Sequence, residues 1–299
     1  MIELCQDKYT LTAFLRSRGV PAPLTYPVVD RGGIGEAFRR LTAKHSLVWC
    51  RMRTGSGSAG AMPVRTAPQA WSWIRYWEEM RGVPATSFTL SEYLPGRDFG
   101  CQSLWHEGEL ILIKTFERVS YVVGGNQAGR VSSVAALTKT VSEPLVVDVC
   151  SGAIRSLDSR ASGVYCVDLK GDADGVPCVT EINAGRFSLS TNVYDLVGKH
   201  NMAVTYVRLA LGEPVDIREK YDVAEDYYMV RDLDTLPAIF HAEAFFDGIL
   251  DARGAWAPPG GTSHCAREEA RLWGTSYCWE RGRSGRSRSW SKVRETPAR

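Results

Sequence analysis

Apolar positions recur at helical spacing from Asp7 to Gly19, where Leu11, Phe14 and Leu15 share one face and Gly19 supplies a C-terminal stop. Val20-Pro-Ala-Pro then forces an extended exit. The pattern next predicts a short strand over Thr25 to Val29, a helix over Glu36 to Lys44 and a strand over Leu47 to Met52, an α/β alternation. Met62 to Arg65 reads as a strand, and Gln69 to Arg81 as a helix whose Trp73, Ile74 and Trp77 face a core. A strand over Ser87 to Leu94 is followed by two more that meet at His106-Glu107-Gly108. Glu143 to Ser159 has helical spacing (Leu145, Val149, Ile154, Leu157), weakened by Gly152. Lys199 to Leu211 is a further helix, closed by Gly212-Glu-Pro214. Asp222 to Gly248, acidic and aromatic, reads as a short α/β extension. Beyond Pro258-Pro-Gly-Gly261 the periodicity stops, which predicts disorder.

Between the last two helices lies the stretch with the most chemistry, Gly163 to Arg186. Two β-rich runs flank Asp174-Gly175, a strong hairpin signal when both turn positions take positive φ. That turn sets Asp168 opposite Glu181, with Asn183 two residues along on the same face. Tyr165, Val167, Leu169, Ile182 and Ala184 fall on the other face as core. Two carboxylates paired at roughly 5 Å repel by about 3 kcal/mol at an effective dielectric of 20. A hard divalent cation shared with an amide oxygen and nucleotide phosphates would offset that, since magnesium takes few protein oxygens. A solvent-facing polar side, or a salt bridge to Lys170 or Arg186, would serve as well.

Composition narrows the setting. With 299 residues, 44% of them hydrophobic, the chain can bury one large core or two ordinary ones. No early basic and apolar run and no stretch near the ~20 apolar residues of a membrane span is present, so a soluble, cytoplasmic protein without a membrane partner is expected. The eight cysteines are scattered without a Cys-x-x-Cys pair, as buried free thiols would be. The formal net charge is +2, yet nine basic residues against four acidic ones fall between Arg267 and Arg299. Such a tail can hold nucleic acid by salt-sensitive contacts; a solvated tail is the simpler account, so nucleic acid is not expected as a partner.

Arg51-Met-Arg-Thr-Gly55-Ser-Gly57-Ser-Ala-Gly60 contains GxGxxG after a strand, but a second strand follows where a dinucleotide site needs a helix. No Gly-Lys-Ser/Thr ends it, so it is not a Walker loop either. A glycine and serine loop between two strands remains, whose N–H groups could cover phosphates with Arg51 and Arg53 at its root, or simply a hairpin loop. Arg97, Lys114, Arg118 and Arg130 are cations that could meet an anionic substrate or be surface charges.

In order along the chain, Asp7-Lys8 opening a helix before Gly-Val-Pro-Ala-Pro, the loop Arg51 to Gly60, the segment Ser91-Glu-Tyr-Leu-Pro-Gly-Arg-Asp98, and Asp168 with Glu181-Ile-Asn183 resemble the ATP-grasp superfamily, in particular its carbamoyl-phosphate-synthase-like and carboxylate–amine ligase branch. The resemblance implies an α+β fold, two α+β subdomains clasping ATP between mainly antiparallel sheets. It implies a first subdomain over 1–90, a second over 91–215, an extension over 216–258 and a disordered basic tail over 259–299. Lys8 and Arg51 would meet phosphates beneath the loop of Gly55, Ser56, Gly57 and Ser58. Glu92, Tyr93 and Leu94 would meet adenine and Asp98 the ribose, while Asp168, Glu181 and Asn183 would hold Mg2+ or Mn2+. The implied activity is a ligase that activates a small carboxylate as an acyl phosphate for attack by an amine. The alternative is a truncated, non-catalytic ATP-binding subunit working with a partner chain. Three departures stand out. Arg51 replaces the Lys of many members; Arg186, the implied catalytic cation, falls three residues after Asn183 rather than two, with Gly185 available to absorb the difference; and six residues precede Asp7 where the family commonly has a subdomain.

Overall fold

The computed structural model describes residues 1–43, 45–122, 132–232, 236–244, 277–279 and 290–292. Residues 1–246 form one compact unit and 247–299 another. In the second, Tyr277–Trp279 pairs antiparallel with Trp290–Lys292. Arg130 and most of the basic tail lie outside the described residues.

In the first unit the helices α1 (Ile2–Gln6) and α2 (Lys8–Ser17) precede β1 (Thr25–Pro27), α3 (Arg31–Leu41), β2 (Val48–Met52), β3 (Met62–Val64), α4 (Ala67–Arg81) and β4 (Phe88–Glu92). The four strands make an antiparallel sheet ordered β1-β4-β2-β3. Helices α3 and α4 cover it through Ile34, Phe38, Leu41 and Ile74, with Trp73 and Trp77 partly buried. The structure extends the helix predicted over Glu36 to Lys44 toward its N-terminus, because the Asp30 side chain caps it by accepting from the Gly33 N–H at 2.8 Å.

Next come β5 (Asp98–His106), β6 (Glu109–Tyr121), β7 (Ala135–Thr140), α5 (Pro144–Leu157), β8 (Gly163–Gly171), β9 (Pro177–Ala184), α6 (Thr191–Val197), α7 (Met202–Ala210), β10 (Tyr227–Val230) and β11 (Ala238–His241). These strands form a seven-stranded antiparallel sheet, β11-β10-β7-β6-β5-β8-β9. Its core gathers Val149 and Ile154 of α5 with Tyr165, Val167, Leu169 and Ile182 of the hairpin. Leu11 and Leu15 of α2 are buried in that same core. The predicted C-terminal extension therefore supplies two strands of the large sheet.

Candidate functional site

The β8–β9 hairpin does pair Asp168 with Glu181, by a route other than the predicted one. Only Gly175 takes positive φ, +83°, and Asp172 closes a three-residue loop by donating its N–H to Val176 O at 2.9 Å. That turn shifts the register by one residue, so Leu169 faces Val179. A bulge at Thr180 then restores it and returns Asp168, Glu181 and Asn183 to one face. Leu169, Val167 and Ile182 remain in the core on the other.

The bulge also ties the two sheets together. Thr180 Oγ1 donates to Asp168 O at 3.0 Å, and the Thr180 carbonyl accepts from an Arg51 terminal nitrogen at 3.1 Å. Arg51 arrives from β2 of the small sheet, and its Nε is buried without a hydrogen-bond partner among the described residues. Burial pulls the Arg51 guanidinium below its ordinary value, with Glu181 and Asp168 acting in the opposite direction; it stays a cation at neutral pH.

Lys8 comes from the first residue of α2. Asp7 caps that helix, accepting from Thr10 N at 3.0 Å, and pairs with Arg53 at 2.6 Å. The Lys8 N–H meanwhile donates to Arg53 O at 2.8 Å. With Leu11 and Leu15 held by the large sheet's core, these contacts fix Lys8 at the junction. Its ammonium donates to Gly55 O at 2.8 Å and lies 3.7 Å from Glu181. Burial lowers its pKa, Glu181 raises it again, and Arg51 adds to the fall.

In the hinge, Glu92 Oε2 accepts from Leu24 N at 3.3 Å, and Tyr93 packs 4.7 Å from the His45 ring. Asp98 accepts from Arg118 at 3.0 Å, Tyr121 at 2.6 Å and Lys170 at 3.4 Å. Arg118 also pairs with Asp168, whose second oxygen accepts from Asn183 at 3.4 Å. Burial opposes the Arg118 charge, but Asp168 and Asp98 outweigh it and drive its pKa up. The other two described cations suggested for an anionic substrate are engaged elsewhere. Arg97 pairs with Glu117 and Glu143, and buried Lys114 with Asp195 and Asp222.

Two pockets meet at these residues. One, of about 480 Å³, runs from Glu92, Tyr93, Leu94 and Asp98 to Asp168 and Glu181. The other, of about 510 Å³, is lined by Lys8, Arg51, the loop Gly55 to Ser58, Asp168, Glu181, Asn183 and Arg186. Trp49, Arg51, Ser58, Arg118, Asp168 and Glu181 line both. Every residue of the sequence-derived set thus lines one pocket or the other, and the two share a border. Arg231, at the end of β10, also lines the second pocket, holding Ala135 O through its Nε at 2.7 Å. Nothing local marks it in the sequence; only the pairing of β10 with β7 carries it there.

The residues fit a nucleotide with a divalent cation. The orphaned Arg51 Nε and the Lys8 ammonium are donors that an external anion would satisfy, and Asp168, Glu181 and Asn183 present oxygens from one face. No group of three His, Cys, Asp or Glu side chains forms a metal cage among the described residues. A cation here would complete its shell with substrate and water oxygens, as magnesium does.

Two antiparallel sheets meeting at this cleft define the ATP-grasp fold, and known structures carry it. The chain is similar to N5-carboxyaminoimidazole synthase from Aspergillus clavatus, solved with ADP and 5-aminoimidazole ribonucleotide: 15% identity, TM-score 0.58, 77% of this chain and 57% of that one. It is similar to the biotin carboxylase domain of Hydrogenobacter thermophilus 2-oxoglutarate carboxylase, solved with MgADP, ADP and bicarbonate: 13% identity, TM-score 0.61, 77% and 50%. The L-amino acid ligase from Bacillus licheniformis gives 16% identity, TM-score 0.54, 76% and 52%. The chain therefore spans between 50% and 57% of the length of these chains. No family model and no curated protein matches it. Among the described residues, no helix is long and apolar enough to cross a membrane.

Proposed function

We propose that the cleft binds ATP with magnesium and that the protein is a ligase joining a small carboxylate to an amine. The observation that carries this is the meeting of Lys8 and Arg51 with Asp168, Glu181 and Asn183 in one pocket continuous with the hinge. The adenine end belongs with Glu92, Tyr93 and Leu94, the ribose with Asp98, and the phosphates with Lys8, Arg51 and the Gly55 to Ser58 loop. Mg2+ or Mn2+ on Asp168, Glu181 and Asn183 would supply charge neutralisation of the triphosphate.

Arg186 and Arg231 line the same pocket as Lys8 and Asn183, and on this reading they are the cations left for the acceptor carboxylate at the phosphate end. Gly185, at φ +78°, turns the chain just before Arg186 and accommodates its displaced position. A substrate carboxylate held there attacks the γ-phosphorus, forming an acyl phosphate and releasing ADP; the amine then attacks the acyl carbon and phosphate leaves. The side chains contribute positioning and positive charge at the transferring group. The test is release of ADP and phosphate across a panel of acids and amines. Turnover requiring both an acid and an amine is expected; ATP binding without turnover for any pair would limit the protein to a nucleotide-binding role.

A further inference from the structure

The phosphate loop is anchored differently at its two ends. At the start, exposed Gly55 is held by its carbonyl to Lys8 Nζ at 2.8 Å. At the finish, buried Gly60 is held by its carbonyl to the indole N–H of Trp73 at 2.9 Å. Gly60 has φ +67°, and a Cβ there would lie 2.9 Å from Met52 Cγ and 3.0 Å from Phe88 Cε1. The backbone thus presses into a cradle that only glycine fits. Ala61, also buried, donates its N–H to Ser58 O at 3.0 Å. The Trp73 ring is fixed in turn, stacked on Tyr76 at 5.6 Å and edge-on to Trp77 at 6.0 Å.

The latch at Gly55 is therefore the same ammonium that the nucleotide reading assigns to phosphate, whereas neither Gly60 nor Trp73 itself lines either pocket of the cleft. A phosphate that draws Lys8 away releases the first end and leaves the second in place. We propose that Trp73 is a positioning residue for phosphate binding: it pins the Gly60 end, so the loop pivots there and lays its N–H groups on the β- and γ-phosphates. This rests on the nucleotide reading above.

Trp73→Phe keeps a ring in the stack and removes only the N–H. Trp77, one turn along, has a buried indole nitrogen with no hydrogen-bond partner among the described residues, so Trp77→Phe is the matched control. The expected result for Trp73→Phe is about 5-fold to 10-fold weaker MgATP binding, the range one positioning hydrogen bond covers. AMP, which lacks the phosphates the loop would cover, should bind as in the wild type. Hydrogen exchange in the nucleotide-free full chain supplies an independent readout: residues 55–61 should exchange at least about threefold faster in Trp73→Phe and unchanged in Trp77→Phe. Unaltered exchange in Trp73→Phe, or equal weakening of AMP and MgATP, would overturn the proposal. A wild type that binds no MgATP would overturn the nucleotide reading instead, with exchange still deciding whether Trp73 anchors the loop.

Discussion

Arg51 leaves a strand of the small sheet and holds the Thr180 carbonyl of the large one, with its Nε lacking a partner among the described residues. One side chain thus links the two sheets, and under the proposed function its Nε is the donor left for a phosphate. Arg51→Lys keeps the charge but loses the fork that grips two acceptors at once. We expect MgATP binding about 10-fold weaker in Arg51→Lys and weaker still in Arg51→Met, measured by titration calorimetry; equal affinity in wild type and Arg51→Met would remove Arg51 from the site. At this scale the sequence named Asp168 and Glu181 by residue type and hairpin position, but their pairing rests on the bulge at Thr180, which the sequence did not display. Arg118 and Arg231 were harder. Arg118 reads as one cation among several until strand pairing sets it between Asp98 and Asp168. Arg231 depends on a contact with Ala135 of β7, 96 residues earlier in the chain.

Among the elements, α2 shows how a local signal becomes a placed side chain. Its Asp7 cap was legible as an Asp-Lys helix start, but the Asp7–Arg53 pair that ties the helix to the root of the Gly55 to Gly60 loop was not, being 46 residues apart in sequence. Burial tends to raise the Asp7 pKa, but hydrogen bonds from Arg53 and the Thr10 amide outweigh it, and the carboxyl titrates below its ordinary value. A depressed folded-state pKa contributes stability above the unfolded pKa, near 4, and loses it as pH falls through the folded value. Asp7→Ala, which removes cap and pair, should cost about 1–2 kcal/mol at pH 7. In denaturant melts the gap to wild type should stay constant down to about pH 4 and narrow below it; a gap that widened in acid would contradict this role. The hairpin teaches a different lesson. Asp-Gly was correctly a turn signal, yet the turn took three residues, and the error cancelled only because Thr180 bulges. Bulges have no dependable sequence signature, since they follow from how two strands twist together.

Across the molecule, the two-sheet architecture was legible only through the family resemblance, since α/β alternation alone predicts a parallel sheet, and strand order came from contacts the sequence does not display. β10 and β11 extend the large sheet beyond β7 and carry Arg231 to the cleft. On the cleft face of β6, two residues before Phe116, buried Lys114 meets Asp195 at 2.9 Å and Asp222 at 3.1 Å. A backbone donor from Met202 to Asp195 and two from Lys199 and His200 to Asp222 add to these pairs, fastening α6, α7 and the segment before β10 to β6. Unlike Lys8 or Arg51, this cation is consumed by the fold, which is why its type alone could not separate scaffold from site. The claim on which the rest depends is that the cleft between the sheets binds MgATP. Thermal unfolding of the full chain with and without saturating MgATP, beside Asp168→Ala and Glu181→Ala, tests it most directly. At ligand one hundred times its dissociation constant, binding adds about 2.7 kcal/mol, a rise of roughly 5–10 °C in midpoint for a unit of this size. A rise of that order in the wild type that both variants lose is predicted; a folded wild type whose midpoint does not move, or variants that keep the full rise, would contradict it.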